Sequence, residues 1–91
     1  MLREYRITVS GQVQGVFFRA KTKGHADQLG LKGTVRNLSN GDVEICVGGT
    51  KEDAELLIQK MKDEPLPIQI DSVTITECSS KQPYLDFEVI Y

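Results

Sequence analysis

The feature that most constrains the fold of this chain is a change of hydrophobic period across a glycine-containing loop, residues 11–19. Before the loop, Tyr5, Ile7 and Val9 alternate with polar residues, which is typical of a strand with one apolar face. After the loop, apolar or small side chains recur at helical spacing, at Phe18, Thr22, Ala26 and Leu29. The loop therefore connects the end of a strand to the start of a helix, which is predicted to end at a left-handed Gly30.

Two more strands are predicted after this helix, over residues 32–38 and 42–47. The register of their hairpin is open between two turns. A two-residue turn would set Val35 opposite Cys46, whereas a three-residue loop with a left-handed Gly41 would set Val35 opposite Ile45. The second register keeps the apolar residues of both strands on one face, and we therefore predict it.

The second half of the chain contains one more helix and two more strands. Thr50 followed by Asp53 is a capping-box pattern for a helix start, and Pro65 requires the helix to end before it. The apolar stripe of this helix consists of Ala54, Leu57, Ile58 and Met61. Residues 68–78 are predicted to form the fourth strand. A short last strand is indicated by alternating apolar residues at Leu85, Phe87, Val89 and Tyr91.

This order of elements predicts an α+β fold. It is the order of a split βαβ sandwich, with two helices on one face of a mostly antiparallel sheet. In such a sandwich the end of strand one, the start of helix one and the end of strand two share one edge of the sheet. Arg19 and Asn37 are therefore expected to meet there, although eighteen positions separate them in the sequence.

The residues at this edge suit the binding of a phosphoryl group. The first backbone N–H groups of a helix lack intrahelical partners and carry partial positive charge, and Gly15 allows the backbone to bend before them. The guanidinium of Arg19 matches the geometry of phosphoryl oxygens. We therefore predict a phosphate cradle formed by Gln14, Gly15, Val16, Phe17, Phe18 and Arg19.

Phosphoryl transfer needs charge stabilisation and a nucleophile held in line with the leaving group. Asn37 carries an amide that is able to hold a water there. The only histidine, His25, is predicted to be a surface residue two turns into the first helix, so no general base is evident. The leaving group must then depart unaided, and an acyl phosphate, which expels a carboxylate, fits this chemistry.

The net charge and the N-terminal residues indicate which binding partners and which cellular compartment to expect. Eleven basic and 13 acidic residues give a formal net charge of −2, which offers no basic surface for a nucleic-acid backbone. The first residues follow a strand pattern rather than an apolar signal core, and no segment has the length of a membrane span. A cytoplasmic protein without a membrane partner is predicted.

The cysteines and the chain length limit the architecture further. Cys46 and Cys78 have no Cys-x-x-Cys partner, which indicates free thiols and neither a zinc site nor a disulfide framework. A length of 91 residues favours a single domain over residues 1–91, and a charged exterior on a sandwich this small favours a monomer.

Two stretches resemble the signatures of the acylphosphatase family. Residues 11–19, Gly-Gln-Val-Gln-Gly-Val-Phe-Phe-Arg, are similar to the first signature throughout. Residues 33–37, Gly-Thr-Val-Arg-Asn, resemble the start of the second signature, which continues with Gly41, Val43 and Gly49. The order of elements and the closing residues 87–91 also match, so the resemblance covers essentially the whole chain.

The resemblance implies a ferredoxin-like sandwich of two helices on a five-stranded sheet, and an acylphosphatase, a hydrolase that cleaves the carboxyl–phosphate bond without metal or cofactor. By the family motif, Arg19 binds the phosphate with the loop amides, and Asn37 orients the attacking water. The implied partners are a small-molecule acyl phosphate and, as product or mimic, inorganic phosphate or sulfate. Thr34 departs from the family, which usually carries an aromatic residue there, and this difference bears on turnover rate rather than on the reaction.

Two other function classes are compatible with such a fold. An RNA-binding module would stack bases on aromatic side chains of the central strands. The predicted open face instead carries Arg6, Thr8, Ser10, Glu44 and Cys46. A non-catalytic anion-sensing domain would keep the cradle but would not need Asn37, so this alternative stays open until turnover is measured.

Overall fold

The structure, a computed structural model, describes residues 2–80 and 83–91. Its elements follow the predicted order: β1 Leu2–Gln12, α1 Phe18–Leu29, β2 Lys32–Asn37, β3 Val43–Gly48, α2 Lys51–Lys62, β4 Gln69–Ser80 and β5 Phe87–Ile90. Within these residues, neither helix combines the length and the apolar character needed to cross a bilayer.

The five strands form one mixed sheet in the order β4-β1-β3-β2-β5. β1 pairs antiparallel with β3 and β4, β2 pairs antiparallel with β3, and β5 pairs parallel with β2. α1 packs against β2 and β5, whereas α2 packs against β1 and β4. The prediction of an α+β ferredoxin-like sandwich with a mostly antiparallel sheet is confirmed.

The core lies between the helices and the sheet. Ile7 and Val9 of β1 are fully buried, as the alternation predicts, and Tyr5 is half-buried. The buried residues of the helices are Phe18, Thr22 and Ala26 in α1 and Ala54, Leu57, Ile58 and Met61 in α2. Thr22 is accommodated because its Oγ1 donates to the carbonyl of Phe18 at 2.9 Å.

The β2–β3 hairpin has the three-residue loop that the sequence predicts. Val35 pairs with Ile45 and Asn37 pairs with Val43, and Gly41 has a φ of 98°. Because side chains alternate along a strand, Asn37 projects from the same face as the buried Val35. Asn37 therefore lies on the helix side of the sheet, at the edge where β1 also ends.

The helix ends also follow the sequence signals. Gly30 closes α1 in a left-handed conformation with a φ of 72°. Thr50 begins α2 with both capping-box hydrogen bonds to Asp53, and the helix ends at Lys62, before Pro65.

The last two strands differ in length from the prediction. β4 begins at Gln69 and continues to Ser80 because it pairs with β1 along its whole length. The sequence predicts Leu85 and Tyr91 to be strand residues, but they lie outside β5 and are 80% and 96% exposed. The reason is that β5 pairs with β2 alone in the sheet, and the β2 residues that pair with it run from Gly33 to Arg36.

The helix-free face of the sheet is polar. Glu44 lies 3.7 Å from the Nε of Arg6 and 3.0 Å from the Nε of Arg36. Cys46 is on this face, and its burial raises the pKa of its thiol. Cys46 and Cys78 are both free, as predicted, since β1 lies between β3 and β4.

Candidate active site

A cleft of about 360 Å³ opens at the sheet edge where β1, β2 and β5 end. Arg19 and Asn37, which the order of elements brings to this edge, both line it. The full lining consists of Val13, Gly15, Phe17, Phe18, Arg19, Ala20, Asn37 and Tyr91. Three segments that are distant in sequence therefore form one concave surface.

The start of α1 beside this cleft has no side-chain cap. Phe17 occupies the N-cap position, its side chain makes no capping hydrogen bond, and the first turn contains no acidic residue. The first helical bond runs from the amide of Lys21 to the carbonyl of Phe17, at 3.0 Å. The preceding amides lack helical acceptors, so this helix end favours an anion.

The loop before α1 is tightly curled. Gly15 has a φ of 72°, and Phe17 has a φ of 61°, which is uncommon and strained for an aromatic residue. Backbone of this kind directs successive N–H groups toward a common concavity, which is suited to anions. Core packing does not offset the backbone strain at Phe17, because its side chain is 82% exposed.

Arg19 is held by the end of β5. Its Nη1 donates to the carbonyl of Ile90 at 3.0 Å, and its Cζ lies 4.6 Å from the centroid of the Tyr91 ring. Stacking and hydrogen bonding restrict the guanidinium while leaving its other donors available. Sequence reasoning missed Ile90 and Tyr91 as site residues. A prediction that β5 pairs parallel with β2 would have brought these two residues to this edge.

Gln14 connects the cradle loop to the β2–β3 hairpin. Its Nε2 donates to the carbonyls of Leu38 and Asp42, at 2.9 and 2.7 Å. These two carbonyls flank the three-residue loop that follows Asn37, so Gln14 braces the backbone next to Asn37. Its contact with phosphate stays a prediction.

Asn37 and Val16 occupy different sides of the cradle. The Asn37 side chain is exposed in the cleft and has no hydrogen-bond partner among residues 2–80 and 83–91, which leaves its amide open to water. Val16 is absent from the lining of this cleft and instead lines a neighbouring one.

The sequence predicts His25 to be a surface residue, but in the structure it is partly buried. Its side chain is half-buried, and its Nε2 lies 2.5 Å from an Oε atom of Glu64. This hydrogen bond is the main reason why the pKa of Glu64 is lowered. The interaction depends on the loop after α2, which no local pattern in α1 reveals. His25 does not line the cleft.

Across the described part of the chain, no three His, Cys, Asp or Glu side chains are grouped so as to hold a metal ion.

Comparison with known proteins identifies the family of this chain. The acylphosphatase family model matches residues 5–89. The chain belongs to the acylphosphatase family. An acylphosphatase of Methanothrix thermoacetophila is 40% identical over 86 residues, which cover 94% of each chain. Another, from Enterococcus faecalis, is 40% identical over 90 residues, 98% of this chain and 99% of the relative.

Solved structures of the family agree with the fold. The crystal structure of the acylphosphatase from Bacillus subtilis matches with a TM-score of 0.86 at 31% identity, covering 98% of this chain and 99% of that chain. The family and the enzyme class predicted from the sequence, an acylphosphatase hydrolase, are confirmed.

Proposed function

We propose that this member of the acylphosphatase family hydrolyses small-molecule acyl phosphates by in-line attack of water. In this mechanism Arg19 and the backbone amides of residues 14–19 hold the phosphoryl group, and Asn37 orients the water. The observation that supports it is the meeting of Arg19 and Asn37 in one cleft, beside a helix N-terminus without a side-chain cap.

Binding of the phosphoryl group uses charge and preorganised donors. Its anionic oxygens accept hydrogen bonds from the loop amides and from the Arg19 guanidinium, which Ile90 and Tyr91 hold in place. Because these donors are positioned before the substrate arrives, little reorganisation is needed when charge redistributes in the transition state.

Cleavage follows from the position of the water. The carbonyl oxygen of Asn37 accepts a hydrogen bond from the water, which directs a lone pair toward phosphorus. The water oxygen bonds to phosphorus and gives its proton to bulk solvent, while the bond from phosphorus to the acyl oxygen breaks. The carboxylate leaves with the electron pair of that bond, and because it is a weak base it needs no general acid.

We also propose which ligands, assembly and compartment belong to this reaction. It uses no metal or cofactor, and inorganic phosphate or sulfate binds the cradle as product or mimic. Residues 1–91 act as one domain and as a monomer, in the cytoplasm, without a nucleic-acid or membrane partner.

The test separates binding from turnover. Initial rates of acetyl phosphate hydrolysis, with a chelator present, are compared with inorganic phosphate affinity measured by titration calorimetry. Arg19→Ala should lose both activities, because the phosphate loses its main charged donor. Asn37→Ala should keep phosphate affinity and lose turnover by about 100-fold or more, the usual effect of removing a group that acts on the transition state.

Arg3→Ala is the matched control, because Arg3 lies at the far end of β1 and pairs with Glu77. It should change neither property. An equal loss of phosphate affinity in the Arg19 and Asn37 variants would contradict the separate roles. Phosphate binding by the wild type without turnover would instead identify an anion-binding module.

A further inference from the structure

The two edge strands of the sheet, β4 and β5, differ in how their outer backbone is covered. β5 is four residues long, and side chains of α1 cover its outer side. The Nζ of Lys23 donates to the carbonyl of Phe87 at 2.9 Å, and Arg19 donates to the carbonyl of Ile90. β4 is 12 residues long, and within the described ranges no side chain from another element bonds to its backbone. An uncovered edge of this length is a template for a further strand.

A groove of about 310 Å³ lies between the β4 edge and α2. On the β4 side it is lined by Val73 and Ile75, which are half-buried on the helix side of the sheet. Because side chains alternate along a strand, a strand added at this edge places every second side chain in the groove. The full lining consists of Glu55, Ile58, Gln59, Lys62, Val73 and Ile75.

The sequence of β4 is complementary to a second copy of itself. In an antiparallel pair centred on Thr74, Val73 of one copy lies opposite Ile75 of the other, and Ser72 lies opposite Thr76. The apolar side chains then meet on the helix side of the sheet, where pairing completes their burial. The exposed hydroxyl side chains meet on the open side, where cross-strand pairs of Thr and Ser form hydrogen bonds.

The same two-fold axis pairs the charges of α2. α2 and β4 are joined by residues 63–68 and run in opposite directions, so Lys62 lies toward the start of β4 and Glu55 toward its end. An axis through Thr74 reverses this order in the second copy and brings Glu55 of each copy beside Lys62 of the other. Since α2 packs against both β1 and β4, a strand spacing of about 4.8 Å puts the two α2 axes about 10 Å apart, which is the distance of packed helices.

We propose that the β4 edge and the groove beside it form a self-association surface, through which two copies of this chain pair as a two-fold dimer with one continuous sheet. Asp71 and Glu77 limit the pairing to residues 72–76, since acidic side chains face each other beyond both ends. A surface this small gives a weak and reversible dimer. The first cleft, which contains Arg19 and Asn37, is formed by one chain alone, so the chain acts as a monomer in dilute solution.

Reversing single charges on α2 tests the proposal, because Glu55 and Lys62 are exposed and their replacement keeps the fold. Sedimentation velocity from about 10 μM to about 1 mM protein measures the dissociation constant of the dimer. Wild type should show a reversible monomer–dimer equilibrium. Glu55→Lys and Lys62→Glu should each raise the dissociation constant about tenfold, since two contacts between opposite charges become contacts between like charges. An equimolar mixture of the two variants should restore the dimer, because each charge again meets its opposite.

Lys60→Glu is the control, since it makes the same charge change on α2 outside the groove. It should leave the dissociation constant unchanged, and acetyl phosphate hydrolysis in dilute solution should be the same in all these variants. A wild type that is monomeric at every concentration, or a dimer that neither charge reversal weakens, overturns the proposal. A monomeric wild type that binds a synthetic peptide of residues 69–80 also overturns it and assigns the edge to an extended segment of another protein.

Discussion

At the residue scale, Glu64 shows how a side chain stabilises the α2–β4 loop. Its carboxylate bonds to His25 in α1 and lies near Lys21, and its side chain is 12% exposed. The hydrogen bond from His25 lowers the pKa of Glu64, the charge of Lys21 lowers it further, and desolvation opposes both effects. The ionised form of Glu64 is thus favoured by folding.

This shift predicts a pH-dependent contribution to stability. A carboxyl group with a lower pKa in the folded state stabilises the protein above its unfolded pKa, and this stabilisation is lost as the pH falls through the folded pKa. Glu64→Gln should therefore reduce the free energy of unfolding by about 1 kcal/mol at neutral pH. The deficit should shrink as the pH falls below the ordinary glutamate pKa of about 4.3, as urea unfolding at several pH values would measure.

Glu55→Gln is the control for this experiment. Glu55 is exposed on α2 and has no ion pair among the described residues, so its replacement should be neutral at every pH. A Glu64→Gln deficit of the same size at acidic and neutral pH would show that the loop depends on packing rather than on the ionised carboxylate.

At the scale of elements, two glycines differ in the space available for an added Cβ atom. Gly33 lies in β2 between β3 and β5, paired with Val47 and Phe87. A Cβ on Gly33 would overlap the backbone carbonyl oxygen of Cys46, and the pairing on both sides prevents the strand from shifting. Gly24 is exposed in α1, and a Cβ there would meet open space.

Replacing each glycine with alanine is expected to change stability in opposite directions. Gly33→Ala should lower the free energy of unfolding by about 3 kcal/mol, because strands must separate to admit the methyl group. Gly24→Ala should raise it by about 0.5–1 kcal/mol, because alanine restricts the unfolded chain and favours helix. Denaturant unfolding of both variants provides the comparison, and a neutral Gly33→Ala would refute the close strand approach.

At the scale of the whole molecule, the first cleft joins segments from both halves of the chain. The β1–α1 loop, the end of β2 and the end of β5 all line it, and Gln14 and Arg19 connect them through hydrogen bonds. A ligand bound there interacts only with the assembled fold, so its binding free energy adds to the free energy of global unfolding.

Inorganic phosphate is therefore expected to stabilise the entire protein. At about ten times its dissociation constant it should add roughly 1.4 kcal/mol and raise the thermal midpoint by several degrees. Thermal unfolding in phosphate and in chloride of equal ionic strength makes the comparison. Arg19→Ala should remove the phosphate-specific increment, and an undiminished shift in that variant would mean that phosphate binds elsewhere.

The sequence by itself determined the features that depend on neighbouring residues. Hydrophobic period defined the helices and strands, Thr50 and Asp53 marked the start of α2, and the choice of a left-handed Gly41 predicted the hairpin register. The meeting of Arg19 and Asn37 also followed, because the order of elements alone brings their positions to one edge of the sheet. The signature resemblance added the family.

Only the tertiary structure decided which distant side chains meet. The hold of Ile90 and Tyr91 on Arg19, the brace from Gln14 to the hairpin and the bond from His25 to Glu64 each join separate elements. Hydrophobic period specifies which face a residue occupies, but these contacts depend on loop paths and side-chain directions. The neighbouring cleft that Val16 lines has the same origin, since the α2–β4 loop meets the cradle loop only after both helices pack on the sheet.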